Sequence, residues 1–118
     1  MGDIGKELRL TDATEANAQD VIKEQLANND ILIFIKGTDE FPECGYSSRA
    51  VQIMDLIGKS YKFVDVLKNE HIRQGIKVLS DWPTIPQVFY KNEFLGGCDI
   101  LIEMFQTGEL HKKLGATA

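Results

Sequence analysis

The chemistry of this 118-residue chain gathers first around Cys44, one of two cysteines, the other being Cys98. Cys44 stands where a loop-forming stretch, Gly37–Gly45, gives way to an apolar pattern of helical period, so it falls at a helix start. A helix N-terminus carries about half a positive charge and several unpaired N–H groups. Both favour a thiolate, which is the form that attacks electrophiles and binds metals. The alternative is a small buried hydrophobe, the usual fate of a free cysteine. Gly45 and the polar loop argue against it. Three positions on stands Ser47, so Cys44-Gly45-Tyr46-Ser47 lacks the local resolving thiol of a Cys-x-x-Cys pair. A mixed disulfide at Cys44 must then be resolved from outside, or by Cys98, and dithiol oxidoreduction is disfavoured. His71 and His111 fit no zinc-ligand spacing with either cysteine.

These residues need a frame. Residues 1–13 are polar and aperiodic and read as a loose tail, with the domain proper over 14–116. Thr14 reads as the cap of a helix reaching about Asn29, with Ala18, Val21, Ile22, Gln25 and Leu26 on one face. Ile31–Ile35 is a short, continuous, β-branched run, the mark of a strand buried on both sides. A second helix runs from about Tyr46, with Ala50, Val51, Met54 and Ile57 on a stripe, and stops at Gly58. Tyr61–Val66 alternates as a strand, and Glu70–Leu79 reads as a short helix. Asp81–Pro86 contains two prolines and can be neither. Gln87–Tyr90 and Glu93–Leu95 flank Lys91-Asn92 as a hairpin, and a helix follows over Cys98–Gln106, with a last amphipathic turn beyond Gly108. The order α-β-α-β-α-β-β-α predicts an α/β fold, a four-stranded mixed sheet with helices on both faces.

Composition removes several classes of function. Thirteen basic against eighteen acidic side chains leave a net charge of −5, and no Lys/Arg cluster offers a footprint for nucleic acid or an acidic membrane. The longest apolar run, Ile31–Ile35, is far below the roughly 20 residues of a membrane span. Two cysteines are too few for a disulfide framework, which points to a reducing compartment. Met1–Leu10 shows neither a signal-peptide core nor transit-peptide character. The expectation is a protein that is not secreted: cytoplasmic in a bacterium, or in the mitochondrial matrix if a transit peptide has been removed.

Four motifs in one order carry a family resemblance: Lys36-Gly37-Thr38, Cys44-Gly45-Tyr46-Ser47, Trp82-Pro83-Thr84-Ile85-Pro86-Gln87 and Gly96-Gly97-Cys98-Asp99. Together they resemble the monothiol glutaredoxins over about residues 17–114, with Tyr46 where that family usually has Phe. The resemblance implies a thioredoxin-like fold holding glutathione beside Cys44. Lys36 would then lie near the sulfur and the glycine carboxylate of glutathione, and otherwise is a solvated strand-end lysine. Arg73 and Lys77 are four apart on one helix and can face the same anion. Alone they read as a solvated helix face, and within the family pattern as the glycine-carboxylate clamp. Thr84-Ile85-Pro86 resembles the family's cis-proline turn, which would present the backbone of Ile85 to the ligand. At Gly97-Cys98-Asp99 a helix start can receive the γ-glutamyl carboxylate while Asp99 meets its ammonium, or Asp99 is simply part of a cap. Cys98 is either a packed groove residue, the favoured reading, or a partner for Cys44 under oxidation. Trp82 is core or groove wall.

A 2Fe-2S cluster normally takes four thiolates, and one chain here offers one exposed thiol. Two chains and two glutathiones complete the set, so a glutathione-bridged homodimer is expected, as the resemblance also implies. The leading function is carriage and delivery of that cluster to iron–sulfur apo-proteins, with a BolA-type protein as a further partner. The alternative is a glutathione-dependent oxidoreductase that removes glutathione from protein mixed disulfides through Cys44. The Thr38–Glu43 loop, longer than in dithiol glutaredoxins, weighs against it. A third reading is a binding module with an inert Cys44.

Overall fold

The structure is a computed structural model that describes residues 4–116. Its elements are β1 (Gly5–Glu7), α1 (Ala18–Asn28), β2 (Ile31–Ile35), α2 (Gly45–Ile57), β3 (Tyr61–Asp65), α3 (Glu70–Ser80), β4 (Gln87–Tyr90), β5 (Glu93–Gly96), α4 (Cys98–Thr107) and α5 (Glu109–Leu114). A 3₁₀ turn, Val66–Lys68, joins β3 to α3. The sheet order is β1-β3-β2-β4-β5, with β2 parallel to β3 and antiparallel to β4, and β4 antiparallel to β5. A mixed sheet with helices on both faces is therefore present, but it has five strands rather than four.

The central strand β2 explains the layering. All five of its residues are buried, and alternate side chains leave a strand on opposite faces. Ile31, Ile33 and Ile35 join the core beneath α2, α4 and α5, alongside Met54, Leu101 and Leu110. Leu32 and Phe34 join the core beneath α1 and α3, alongside Ile22, Ile72 and Ile76. A continuous apolar run is what a strand sandwiched between two helical layers requires.

The fifth strand comes from the segment expected to be a loose tail. β1 lies parallel to β3, with Gly5 opposite Tyr61 and Glu7 opposite Phe63. Tyr61 N donates to Ile4 O at 2.8 Å and Leu8 N to Phe63 O at 2.8 Å. Gly-Lys-Glu has no apolar alternation because the ladder, not side-chain burial, recruits it. The part of the expected tail in residues 1–3 lies outside the described residues. Thr14 also departs from expectation, since it does not cap α1. It exchanges hydrogen bonds with Asn17 in a turn, Thr14 N to Asn17 Oδ1 at 2.7 Å and Asn17 N to Thr14 Oγ1 at 3.3 Å, and the helix starts at Ala18.

Local chemistry sets the other boundaries. Gly58 ends α2 in the left-handed conformation at φ 80°. Lys91 and Asn92, at φ 48° and 69°, make the two-residue hairpin between β4 and β5. Asn69 caps α3, accepting from His71 N at 2.9 Å and Ile72 N at 3.3 Å. Its Nδ2 donates to Leu10 O at 3.0 Å and Ala13 O at 2.9 Å, tying the N-terminal segment to the helix start. Asn69→Ala should remove the cap and both ties, costing about 1–3 kcal/mol. Urea unfolding should show a lower midpoint with an unchanged slope, and an unmoved midpoint would discount the tie.

Candidate functional site

Cys44 is itself the N-cap residue of α2. Its backbone is extended, at φ −152° and ψ 152°, and its sulfur accepts from Ser47 N at 3.3 Å. The Ser47 hydroxyl, wholly buried, lies 3.4 Å from the same sulfur. That hydroxyl oxygen accepts from Lys36 N at 3.0 Å and from the Cys44 S–H when the sulfur is a thiol; when it is a thiolate, the hydroxyl proton donates to the sulfur. Ser47 thus takes the place of a second thiol with a fixed donor. Partial burial alone would raise the Cys44 thiol. The Ser47 hydroxyl, the N–H groups of Ser47 and Tyr46, and the Lys36 ammonium outweigh it and hold the thiol below its ordinary value. A lowered folded-state value means that the thiolate adds stability above the unfolded thiol's pKa, and this is lost as pH falls through the folded value.

The loop before the thiol is built to return sharply. Gly37, at φ 92°, pairs with Pro42 across an isolated bridge, and Glu43 N donates to Lys36 O at 2.8 Å. A Cβ on Gly37 would lie 2.5 Å from Phe41 O and 2.8 Å from Glu43 N, so both conformation and space demand glycine. Gly37 N donates to buried Asp65 Oδ1 at 2.9 Å, and the same oxygen accepts from Leu67 N at 2.9 Å. One carboxylate therefore fixes the loop base to the end of β3.

A groove of about 770 Å³ opens beside the sulfur. It brings together Lys36, Cys44, Lys77, Thr84, Ile85, Gly97, Cys98 and Asp99, all singled out in the sequence. Lys36 arrives from the end of β2, Lys77 from the last turn of α3, and Thr84-Ile85 from the loop ahead of β4. The Ile85–Pro86 peptide bond is cis, as the motif led us to expect. Gly97 is the N-cap of α4 and has no side chain to cap it, so first-turn N–H groups of α4 stay open toward the groove. A Cβ there would come within 3.3 Å of both Pro86 O and the Trp82 indole nitrogen.

Arg73 is the exception. It does not line the groove; its guanidinium turns to Glu70 at 3.8 Å on its own helix, and its Nε is buried without a partner. The groove meets only the last turn of α3, so of the two cations on that helix only Lys77 lines it. Trp82 proves to be wall, its ring 6.0 Å from that of Phe94. Cys98 is buried, and burial, the Asp99 carboxylate and Cys44 together push its thiol up against the opposing pull of Arg49.

The sequence reading missed Ile100 as a groove residue and Asp65 and Gln87 as its supports. Ile100 carries no local signal, whereas Gln87 is a polar residue in a strand that is otherwise apolar and Asp65 is an acid directly after the apolar pair Phe63-Val64. A smaller cleft of about 300 Å³ continues past Gly45 and Cys98 to Arg49 and Ile102. Among the described residues, no group of three or more His, Cys, Asp or Glu could hold a metal ion, and no helix is long and apolar enough to cross a membrane.

The arrangement offers one nucleophilic thiolate beside a groove with cations at one end and open N–H groups and a carboxylate at the other. Ser47→Ala should move the midpoint of Cys44 alkylation by iodoacetamide to higher pH and slow the reaction at pH 7. It should also cost about 1–2 kcal/mol of stability, because Lys36 N loses its acceptor. An unchanged alkylation profile would show that the hydroxyl does not set the thiol. In the wild type, Cys44 should react well before Cys98 as pH is raised.

Comparison with known proteins agrees with this geometry. The glutaredoxin family model matches residues 31–95. An uncharacterized monothiol glutaredoxin of Synechocystis, ycf64-like, is 47% identical over 93 residues, spanning 79% of this chain and 87% of its own. Glutaredoxin 4 of Escherichia coli K12 is 43% identical over 97 residues, spanning 82% and 84%. The solution structure of a monomeric truncated mutant of Trypanosoma brucei 1-C-Grx1 superposes with a TM-score of 0.77 at 40% identity, covering 85% of this chain and 94% of that one. The fold is thus the thioredoxin-like fold of glutaredoxins. With a single thiol at the helix start and a buried serine where a second could stand, the chain belongs to the glutaredoxin family as a monothiol member.

Proposed function

We propose that this protein binds glutathione in the groove and, as a dimer, carries a 2Fe-2S cluster for delivery to apo-proteins. The observation that carries the reading is the pairing of one stabilised thiolate with a groove whose charges match a tripeptide zwitterion. Lys36 and Lys77 suit the glycine carboxylate. The backbone of Thr84-Ile85 suits strand-like pairing with the peptide. The open start of α4 suits the γ-glutamyl carboxylate, and Asp99 its ammonium. The volume, about 770 Å³, lies within the usual range for a small-ligand site.

The cluster is cargo in this reading. Four thiolates are the normal ligand set. Cys98 is buried with its thiol raised, so a chain supplies one usable sulfur, Cys44. Two chains and two glutathione thiols complete four, which supports a glutathione-bridged homodimer. Exposed apolar side chains on either side of Cys44 in the chain, Phe41 at 76% in the preceding loop and Tyr46 at 66% in the groove, favour a face that a second subunit or a BolA-type partner covers. A ligand set that is half glutathione exchanges readily, which suits transfer. Two free cysteines are consistent with work in a reducing compartment, cytoplasm or mitochondrial matrix.

A second reading uses the same thiolate as a nucleophile on protein–glutathione mixed disulfides. Its sulfur would bond to the glutathione sulfur and release the protein thiolate. A second glutathione thiolate would then regenerate Cys44 and leave as glutathione disulfide. The lowered thiol favours this chemistry; the absence of a thiol at position 47 means that glutathione must perform the second step.

Anaerobic reconstitution with iron, sulfide and glutathione separates the readings. The carrier reading expects a cluster absorption spectrum at twice the monomer mass, lost when glutathione is omitted. A colourless monomer that reduces glutathionylated substrates would favour the second. Cys44→Ser should lose the cluster and Cys98→Ser should keep it; a cluster surviving in Cys44→Ser would remove Cys44 from the ligand set. Lys36→Ala and Asp99→Ala should each weaken glutathione about ten- to a hundredfold, the worth of a charge-assisted hydrogen bond. Unchanged affinity in both would place glutathione elsewhere.

A further inference from the structure

The wall of the groove between α3 and β4 has an unusual supply of hydrogen bonds. Residues 82–86 contain Pro83 and Pro86, which have no N–H to give. Among the described residues, no backbone–backbone hydrogen bond involves residues 83–86, and the loop is held at its start by Trp82 N donating to Lys77 O at 3.2 Å. Yet this loop lines the groove through Trp82, Thr84 and Ile85. Something else must hold it.

Beyond the burial of Ile85 in the core, the polar support is one side chain. Gln87, the first residue of β4, is wholly buried and lies opposite Phe34 of β2. Its Nε2 donates to Trp82 O at 3.1 Å and to Thr84 O at 3.1 Å. Both amide protons are thereby used on the two carbonyls of the wall. Its Oε1 is buried without a partner. Turning the amide over would aim that oxygen at two carbonyl oxygens, so hydrogen-bond chemistry admits only the observed orientation. A polar side chain tolerated at full burial in an otherwise apolar strand, with one acceptor left unsatisfied, is a costly choice for filling space. The two clipped carbonyls explain it.

We infer that Gln87 is a positioning residue for the groove. It fixes the carbonyls of Trp82 and Thr84 on the core side of the loop and so leaves the backbone of Ile85, starting with its N–H, turned to the ligand. It does not line the groove itself. The inference rests on the glutathione reading for its ligand, but not for its geometry. Its action is separate from that of the thiol, whose stabilising groups are Ser47, Tyr46 and Lys36.

The test uses full-length wild type, Gln87→Leu and Gln87→Glu. Gln87→Leu removes both donors at similar volume and should weaken glutathione about tenfold or more at pH 8 and at pH 5.5 alike. Gln87→Glu places a buried carboxylate against two carbonyls, which raises its pKa. At pH 8 it should bind as weakly as Gln87→Leu. At pH 5.5 it should recover several-fold relative to wild type at the same pH, because a protonated carboxyl donates one O–H. The Cys44 alkylation profile should stay that of wild type in both variants, while the emission of Trp82, the sole tryptophan, shifts and becomes more accessible to acrylamide. A merely structural glutamine would lower stability without the pH-dependent recovery.

Glutathione affinity within twofold of wild type in both variants, with unmoved Trp82 emission, overturns the inference. If neither variant folds, the wild type decides by NMR. The Gln87 Nε2 protons should exchange slowly and shift on glutathione addition, and rapid exchange without a shift overturns it. If wild type itself does not bind glutathione, the ligand reading fails. Positioning is then judged by Trp82 emission and quenching in Gln87→Leu, and wild-type values there reject it.

Discussion

The site depends on one buried hydroxyl. Ser47 stands in the first turn of α2 and joins the end of β2, through Lys36 N, to the sulfur of Cys44. Without that link the strand and the helix would still pack, but the cysteine would be an ordinary N-cap of uncertain rotamer. With it, the sulfur is held at the open end of a helix, with the Ser47 N–H also donating to it. A neutral donor does here what a neighbouring thiol does in a dithiol site, with the difference that it cannot form a disulfide. The single-thiol chemistry of this protein follows from that one atom being oxygen rather than sulfur.

Around the thiol the fold arranges three segments that lie outside its helices and strands. Two of them are held by a buried polar group from a strand end, and the third is left open at a helix start. Asp65 fixes Gly37 at the base of the loop before Cys44, Gln87 fixes the wall at Trp82 and Thr84, and Gly97 opens α4 by contributing no side chain at all. Loops carry the ligand-facing groups because their backbone N–H and C=O are free to pair outward. Anchoring the first two from beneath keeps their outward groups in place without occupying them. A ligand would then meet a surface already ordered, which lowers the entropy cost of binding.

Much of the frame was legible in the chain. β2 was identifiable because a double-sided burial demands an unbroken apolar run, and α2 because its stripe ends at a glycine. The hairpin followed from Lys91-Asn92 flanked by short apolar runs. β1 was not legible, since three residues paired by backbone alone leave no side-chain pattern. The start of α1 falls later than Thr14 suggests because that capping-type side chain is spent on Asn17 in a turn ahead of the helix, which only the reciprocal bonds reveal.

The sequence by itself determined the thiol at the helix start, the lack of a second thiol at position 47, and eight of the residues that meet in the groove, because these depend on residue type, spacing and family pattern. Tertiary structure alone decided which of two cations on α3 reaches the groove, since Arg73 and Lys77 share a face but only the last turn abuts the site. It alone decided that Cys98 is buried with a raised thiol while Cys44 is lowered, and that Asp65 and Gln87 hold the loops. Those outcomes rest on distances between segments far apart in the chain, and such distances exist only once the sheet has brought the segments together.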